Sequence, residues 1–211
     1  MAPYSTRLLV LGVVRIFEPA HGYLLLQELN SWKVDQWANV KPGSVYSALS
    51  TLAKDGLLEV VEPTKDDGGS AAKTSYRTTA AGIEEFTRLV KHALTDTDSH
   101  TIATTMSSIG FLAFLTRAEV LTLLGERLRA CTARLAELNS AIDNFDTTGP
   151  EAPPHVVEHF YFMKSIVEGN LSWTRGIIAR LERGDYSFRG EEPKWTPPED
   201  DPIWGNRHFD R

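Results

Sequence analysis

Cysteine is almost missing from this chain: Cys131 stands alone among 211 residues. A single thiol builds no intramolecular disulfide framework, which points to a reducing, cytoplasmic setting. Long apolar runs are missing too. No stretch approaches the ~18 consecutive apolar residues of a membrane span, so no membrane partner is expected. The opening MAPYSTRLLVLGVVRIF has one early basic residue and no small-residue cleavage site, so no secretory signal is expected either. A phosphate-cradling glycine loop is also absent. DDGGSAA follows a strand pattern but leads into another strand, so it reads as a hairpin turn, and no cofactor is expected. Finally there is no surplus of positive charge. Residues 1–95 hold ten Lys/Arg against ten Asp/Glu, and residues 96–211 hold twelve against eighteen, which gives the net −6. A neutral N-terminal half can still present a basic face, so the average does not exclude nucleic acid.

What is present suffices for a core, since 42% of the residues are hydrophobic and 24% charged. Ser5 caps a first helical pattern through about Phe17, apolar over most of its circumference and therefore buried on several sides. Pro19 ends it, and His21-Gly22-Tyr23 opens a second helix to about Ser31. KPGSVYSALSTLAKDG is a third. Pro42 suits the first turn, where its missing N–H costs nothing. Val45, Leu49 and Leu52 form one apolar stripe, and Gly56 supplies a left-handed cap. LLEVVEP and KTSYRT read as two strands, after which Thr79 caps a helix to about His92.

Residues 93–105 are small and polar and read as a boundary. Beyond it, Thr116-Arg117-Ala118-Glu119 is a capping box. The helix it starts carries Leu121, Leu124, Leu128, Cys131, Leu135, Leu138, Ile142 and Phe145 at alternating steps of three and four, a heptad seam. A second long helix, about His155 to Arg183, repeats the rule with Val156, Phe160, Met163, Val167, Asn170, Thr174, Ile177 and Leu181. The expected fold is therefore mainly α with a small β-hairpin wing. It divides into a winged helix-turn-helix domain at 1–95, an antiparallel long-helix dimerisation domain at 105–185, and an extended acidic, Pro-rich tail at 186–211. The dimerisation residues would be Leu121, Leu124, Leu128, Leu135, Leu138, Ile142, Phe160, Met163, Val167, Ile177 and Leu181.

In a winged helix-turn-helix the third helix enters the DNA major groove. The outward residues of 42–54 suit that task. Ser44, Ser47, Ser50 and Thr51 are short hydroxyls that allow close approach, Tyr46 adds a longer donor, and Lys41 places a cation where phosphates pass. The same layout also serves protein–protein modules that bind no DNA, which is the alternative.

HGY at 21–23, PGSVYSAL at 42–49, the Leu52/DGLLE run to 59 and SYRTTAAG at 75–82 resemble the PadR family of bacterial transcriptional regulators. The resemblance covers about residues 5–92. The two long helices are similar in layout to the dimerising region of the longer PadR subgroup. The resemblance implies a homodimeric repressor, not an enzyme, on a palindromic double-stranded operator, with a small-molecule effector as a further partner. Carried over by position, Tyr23, Lys41, Ser44, Tyr46, Ser47 and Thr51 would meet DNA, joined by Lys65, Lys73 and Arg77 of the wing. The wing turn departs from the family's basic pattern, because Asp66 and Asp67 follow Lys65. Lys41 stands where a Ser cap is common.

Other constellations carry blander readings. HVVEH at 155–159 has the spacing of a zinc-peptidase motif, but catalytic zinc needs a third protein ligand and only 52 residues follow. It reads as a chance match, and no metal is expected. Cys131 falls on the seam as a small hydrophobe. The aromatics Phe111, Phe114, Phe160, Tyr161 and Trp173 are candidates for an effector pocket, with core packing as the plainer alternative.

Overall fold

The computed structural model describes residues 4–61, 74–97, 102–145 and 152–196. They form two compact units, one within Met1–Ala93, Ala103–Phe114 and Trp195–Arg211, the other within Leu94–Ile102 and Leu115–Lys194. Among the described residues, no helix is long and apolar enough to cross a membrane.

The first unit is built on α1 (Tyr4–Phe17), whose Leu8, Leu9, Val10, Leu11, Val13 and Val14 are all fully buried. A helix apolar on every side needs neighbours on every side. They are α2 (Gly22–Ser31), α4 (Pro42–Lys54) and a strand of the sheet. Between α2 and α4 lies α3 (Val34–Trp37), a single turn too short to leave a periodic signal in the sequence. Lys33 and Asn39 beside it adopt left-handed backbone at φ 52°, which lets the connection turn within a few residues.

The α4 helix ends as its sequence dictates. Gly56 sits at φ 72°, the Gly56 N–H donates to Ala53 O and the Leu57 N–H to Leu52 O. That pair of bonds is a Schellman cap. The chain then enters β2 (Leu58–Val61), antiparallel to β3 (Ser75–Thr78). The expected two-stranded hairpin is in fact three-stranded, because β1 (Ala20–His21) pairs on the other edge of β3 in the order β1-β3-β2. Two residues are too few to show alternation, so only the structure reveals this strand.

Thr79 accepts from the Gly82 N–H and starts α5 (Ala80–Thr95), which buries Phe86, Leu89, Val90 and Ala93. The polar stretch 93–105 is helical at both ends: α5 continues to Thr95, and α6 covers Ile102–Ile109. Two serines of α6 return their hydroxyls to helix carbonyls, Ser107 to Ala103 O and Ser108 to Thr105 O. Phe111 then lies over Gly12 and edge-on to Phe86, closing the core of this unit.

The second unit is a helical hairpin of α7 (Arg117–Asp143) and α8 (Glu158–Glu182), preceded by a 3-10 turn at Pro154–Val157. The capping box is formed: the Thr116 hydroxyl accepts from the Glu119 N–H and the Glu119 carboxylate accepts from the Thr116 N–H. The helices run antiparallel, since Arg117 at the start of α7 donates to Leu181 O at the end of α8, while Phe145 packs on Phe160 at the other end. Cys131, Leu138, Val167 and Leu171 form the buried cluster, flanked by Leu128, Leu135, Phe160 and Met163. The heptad seam thus joins α7 to α8 of the same chain.

The two polar seam positions are satisfied in place. Thr174 is fully buried and donates to Asn170 O, and Asn170 Oδ1 accepts from Arg127. Of the segment 186–211, expected to be an extended tail, the beginning is packed: Phe188 is buried under the Arg117 guanidinium, and Arg117 pairs with Glu191 at 2.7 Å.

Candidate nucleic-acid interface

The geometry of α4 separates two faces. Val45, Ala48, Leu49 and Leu52 are buried, while Lys41, Tyr46, Ser47 and Ser50 are exposed and Ser44 and Thr51 half-buried. With Pro42 at the first position and no side-chain cap from Lys41, the first turn is closed by the Ser44 and Val45 N–H groups, which both donate to Lys41 O. The positive end of the helix dipole there favours an anion. The Lys41 ammonium stands at the same end. Thr51 differs from its neighbours because its hydroxyl donates to Ser47 O at 2.9 Å. It keeps an acceptor for a base or phosphate partner but has already committed its donor.

The start of α2 is set by His21, whose Nδ1 accepts from the Leu24 N–H at 3.1 Å. His21 is therefore a capping residue. Its ring stacks on Tyr23 at 6.4 Å, and Tyr23 is 58% exposed. Tyr46 of α4 is 51% exposed and lies against the backbone of Gly22. Two tyrosine hydroxyls, the Lys41 ammonium and the serine hydroxyls of α4 thus belong to one pair of packed helices.

Of the wing residues, Arg77 lies exposed on β3 directly opposite Glu59 of β2. That cross-strand pair of opposite charges offsets part of the cationic field there. Lys65 and Lys73 lie outside the described residues. The base of the wing is held by a group that sequence reading missed. Glu18 Oε2 accepts from the Thr78 N–H at 2.8 Å and the Thr78 hydroxyl at 2.6 Å, and its Oε1 from Arg15 at 2.8 Å. Sixty residues separate Glu18 from Thr78, and nothing local announces the pairing.

The aromatic effector candidates are distributed as follows. Phe111 is 0% exposed, between Trp32 and Phe86, and Phe114 meets Phe86 edge-on, all in the first unit. Phe160 meets Phe145, and Trp173 lies under the Arg127 guanidinium at 5.4 Å, both in the second. Arg127 was not singled out by its sequence context. It is 2% exposed and donates to Leu94 O, Asp96 O at 2.5 Å and Asn170 Oδ1 at 2.5 Å. Burial lowers its pKa and raises that of Cys131 beside it. The histidines of HVVEH are both exposed, and no cluster of three metal-holding side chains occurs among the described residues.

Comparison with known proteins adds the following. Among the solved structures that resemble the chain are these three. Bacillus subtilis PadR in complex with operator DNA is 20% identical over 83% of this chain and 98% of that one, with a TM-score of 0.33. The smu.1604c protein of Streptococcus mutans UA159 is 17% identical over 84% and 96%, with a TM-score of 0.35. Bacillus subtilis PadR in complex with p-coumaric acid is 20% identical over 84% and 99%, with a TM-score of 0.33. No curated protein matches the sequence. The sequence profile of the transcriptional regulator PadR-like family matches residues 10–88, which hold α2, α4 and all three strands. Over those residues the chain is similar to that family of transcriptional regulators.

Proposed function

We propose that this chain is a cytoplasmic, sequence-specific double-stranded DNA-binding regulator that acts as a homodimeric repressor on a palindromic operator. The observation that carries the reading is the division of α4, with Val45, Ala48, Leu49 and Leu52 in the core and Lys41, Tyr46, Ser47 and Ser50 turned outward. In a winged helix-turn-helix that outward surface is the one laid into the major groove. Ser44, Tyr46 and Ser47 are assigned to base edges and nearby phosphates, with Tyr23, Lys41, Thr51 and Arg77 along the backbone. Two copies would present their α4 helices to successive major grooves about 34 Å apart or a multiple of that.

We assign DNA binding to 1–95 and dimerisation to 105–185. The seam residues Leu124, Leu138, Val167, Ile177 and Leu181 build the hairpin, and its exposed apolar side chains then face the second copy. Phe162 is 67% exposed on α8, which supports that arrangement. Phe162→Glu is expected to shift the sedimenting species toward monomer, whereas an unchanged species would place the dimer contact elsewhere. The aromatic candidates Phe160 and Trp173 are assigned to a small-molecule effector that lowers DNA affinity.

The test is enrichment of duplexes from a random-sequence library by the purified protein, followed by binding of the enriched duplex to Tyr46→Ala and Lys41→Ala. Selective enrichment, weakened by either substitution, is the expected result. No enrichment, with a co-purifying protein bound instead, would favour a protein-interaction module.

A further inference from the structure

Position 22 opens α2 with glycine, a poor helix former. Its backbone does not call for glycine. The described glycines with positive φ are Gly56, Gly184 and Gly190, and Gly22 is not among them. What requires glycine there is a neighbour. A Cβ at position 22 would lie 2.4 Å from Tyr46 Cε1, 3.1 Å from Cδ1 and 3.3 Å from Cζ. The ring of Tyr46 rests on bare backbone, within a distance that no other amino acid leaves open.

From this we infer that Gly22 is a positioning residue for Tyr46: the missing side chain on α2 sets where the Tyr46 hydroxyl stands on the DNA-facing surface of α4. The inference rests on the DNA-binding reading above. An exposed tyrosine samples several rotamers, and ordering it at the moment of binding costs affinity. Seated on Gly22, the Tyr46 ring is ordered before DNA arrives, while its outer edge stays open at 51% exposure. The residues on either side of Gly22 have other engagements. His21 caps α2 and stacks on Tyr23, so neither substitutes for the seat. The HGY run therefore combines a cap, a seat and an outward hydroxyl in three consecutive positions.

Gly22→Ala separates this role from a merely structural one, because alanine favours helix where glycine disfavours it. The probe is the duplex that the wild-type protein enriches from a random-sequence library. Gly22→Ala is expected to melt at or above the wild-type temperature yet bind that duplex about tenfold or more weakly, the loss that follows removal of one hydrogen bond to a charged group. Tyr46→Ala should lose a similar factor, and Gly22→Ala/Tyr46→Ala no more than either alone. Wild-type affinity in Gly22→Ala, or losses that simply multiply in the double variant, would overturn the inference and leave the DNA reading intact. If the wild-type protein enriches no duplex, the DNA reading fails and takes the inference with it. Should Gly22→Ala unfold, the double variant decides: recovery of the fold once the ring is gone supports the seat, and continued unfolding overturns it.

Discussion

Side-chain hydroxyls on α4 are equivalent as letters and unequal as partners. Ser47 is exposed, whereas the Thr51 hydroxyl already donates to Ser47 O. Ser47→Ala is therefore expected to weaken operator binding more than Thr51→Ala, and titrations of the two variants at one salt concentration check the order. Equal losses would mean that Thr51 turns its hydroxyl toward DNA on binding. A second residue-scale consequence concerns Glu85. It accepts from Arg88 at 2.7 Å and from Arg7 at 3.0 Å, and the Arg88 hydrogen bond leads the causes that hold its pKa below the ordinary 4.5. A depressed folded-state value stabilises the protein above the unfolded pKa, and the benefit disappears as pH falls through the folded one. Thermal melts from pH 6 downward should lose this term below about 4.5, and Glu85→Gln should remove that part of the slope. The pair is partly exposed, so its size is at most about 1 kcal/mol. Much of this scale was readable in advance. Lys41, Tyr46 and Ser47 stood out because their apolar neighbours fix the helix phase. The Thr51 bond, the Gly22 seat and the Glu18–Thr78 clamp did not, since each depends on where another atom lies in space.

Elements were legible in proportion to their length and caps. The α7 helix showed itself through Thr116, Glu119 and seven seam positions, and α4 through Pro42 and Gly56. By contrast β1 and α3 are shorter than the periods that would reveal them, and α6 hides in a run of small polar residues, two of whose serines bond back to their own helix. The seam was legible as a partner-seeking stripe, yet the pattern does not say whether the partner is another chain or the next helix. Here Cys131 and Leu138 meet Val167 and Leu171 of the same chain. Arg127 is the departure from that apolar rule, a guanidinium inside the hairpin unit that meets two carbonyls, an amide oxygen and the Trp173 ring. Its Nε is buried without a hydrogen bond. Arg127→Met keeps much of the volume but leaves Leu94 O, Asp96 O and Asn170 Oδ1 without that donor. A loss of about 2–3 kcal/mol in unfolding free energy is expected, from the cost of stranding buried acceptors. Denaturant melts measure it. A neutral or stabilising result would show that desolvating the guanidinium costs as much as its bonds return.

For the whole molecule the distribution of charge sets how DNA could be bound. The half that carries α4 is balanced at ten cations and ten anions, and the other half supplies the entire −6. Nonspecific attraction, which scales with cations brought to phosphates, is therefore weak, and selectivity must come from the short hydroxyls and tyrosines of α2 and α4. The basic side chains available to the proposed interface are Lys41 and Arg77, with Lys65 and Lys73 expected from the sequence, four per chain and eight in a dimer. Each phosphate contact contributes ~0.9 to the log–log dependence of affinity on salt, so the slope should be no steeper than about −7. Lys41→Ala removes one contact from each of two copies and should flatten it by about 1.8. Arg77 faces Glu59 across the wing, so Arg77→Ala should flatten the slope less than Lys41→Ala does. Isothermal titrations of the enriched duplex at several salt concentrations test all three expectations together. A slope well beyond −7 would require cations outside this surface. An unchanged slope in Lys41→Ala would place the start of α4 away from the phosphates, and with it the docking of the helix that defines the proposed interface.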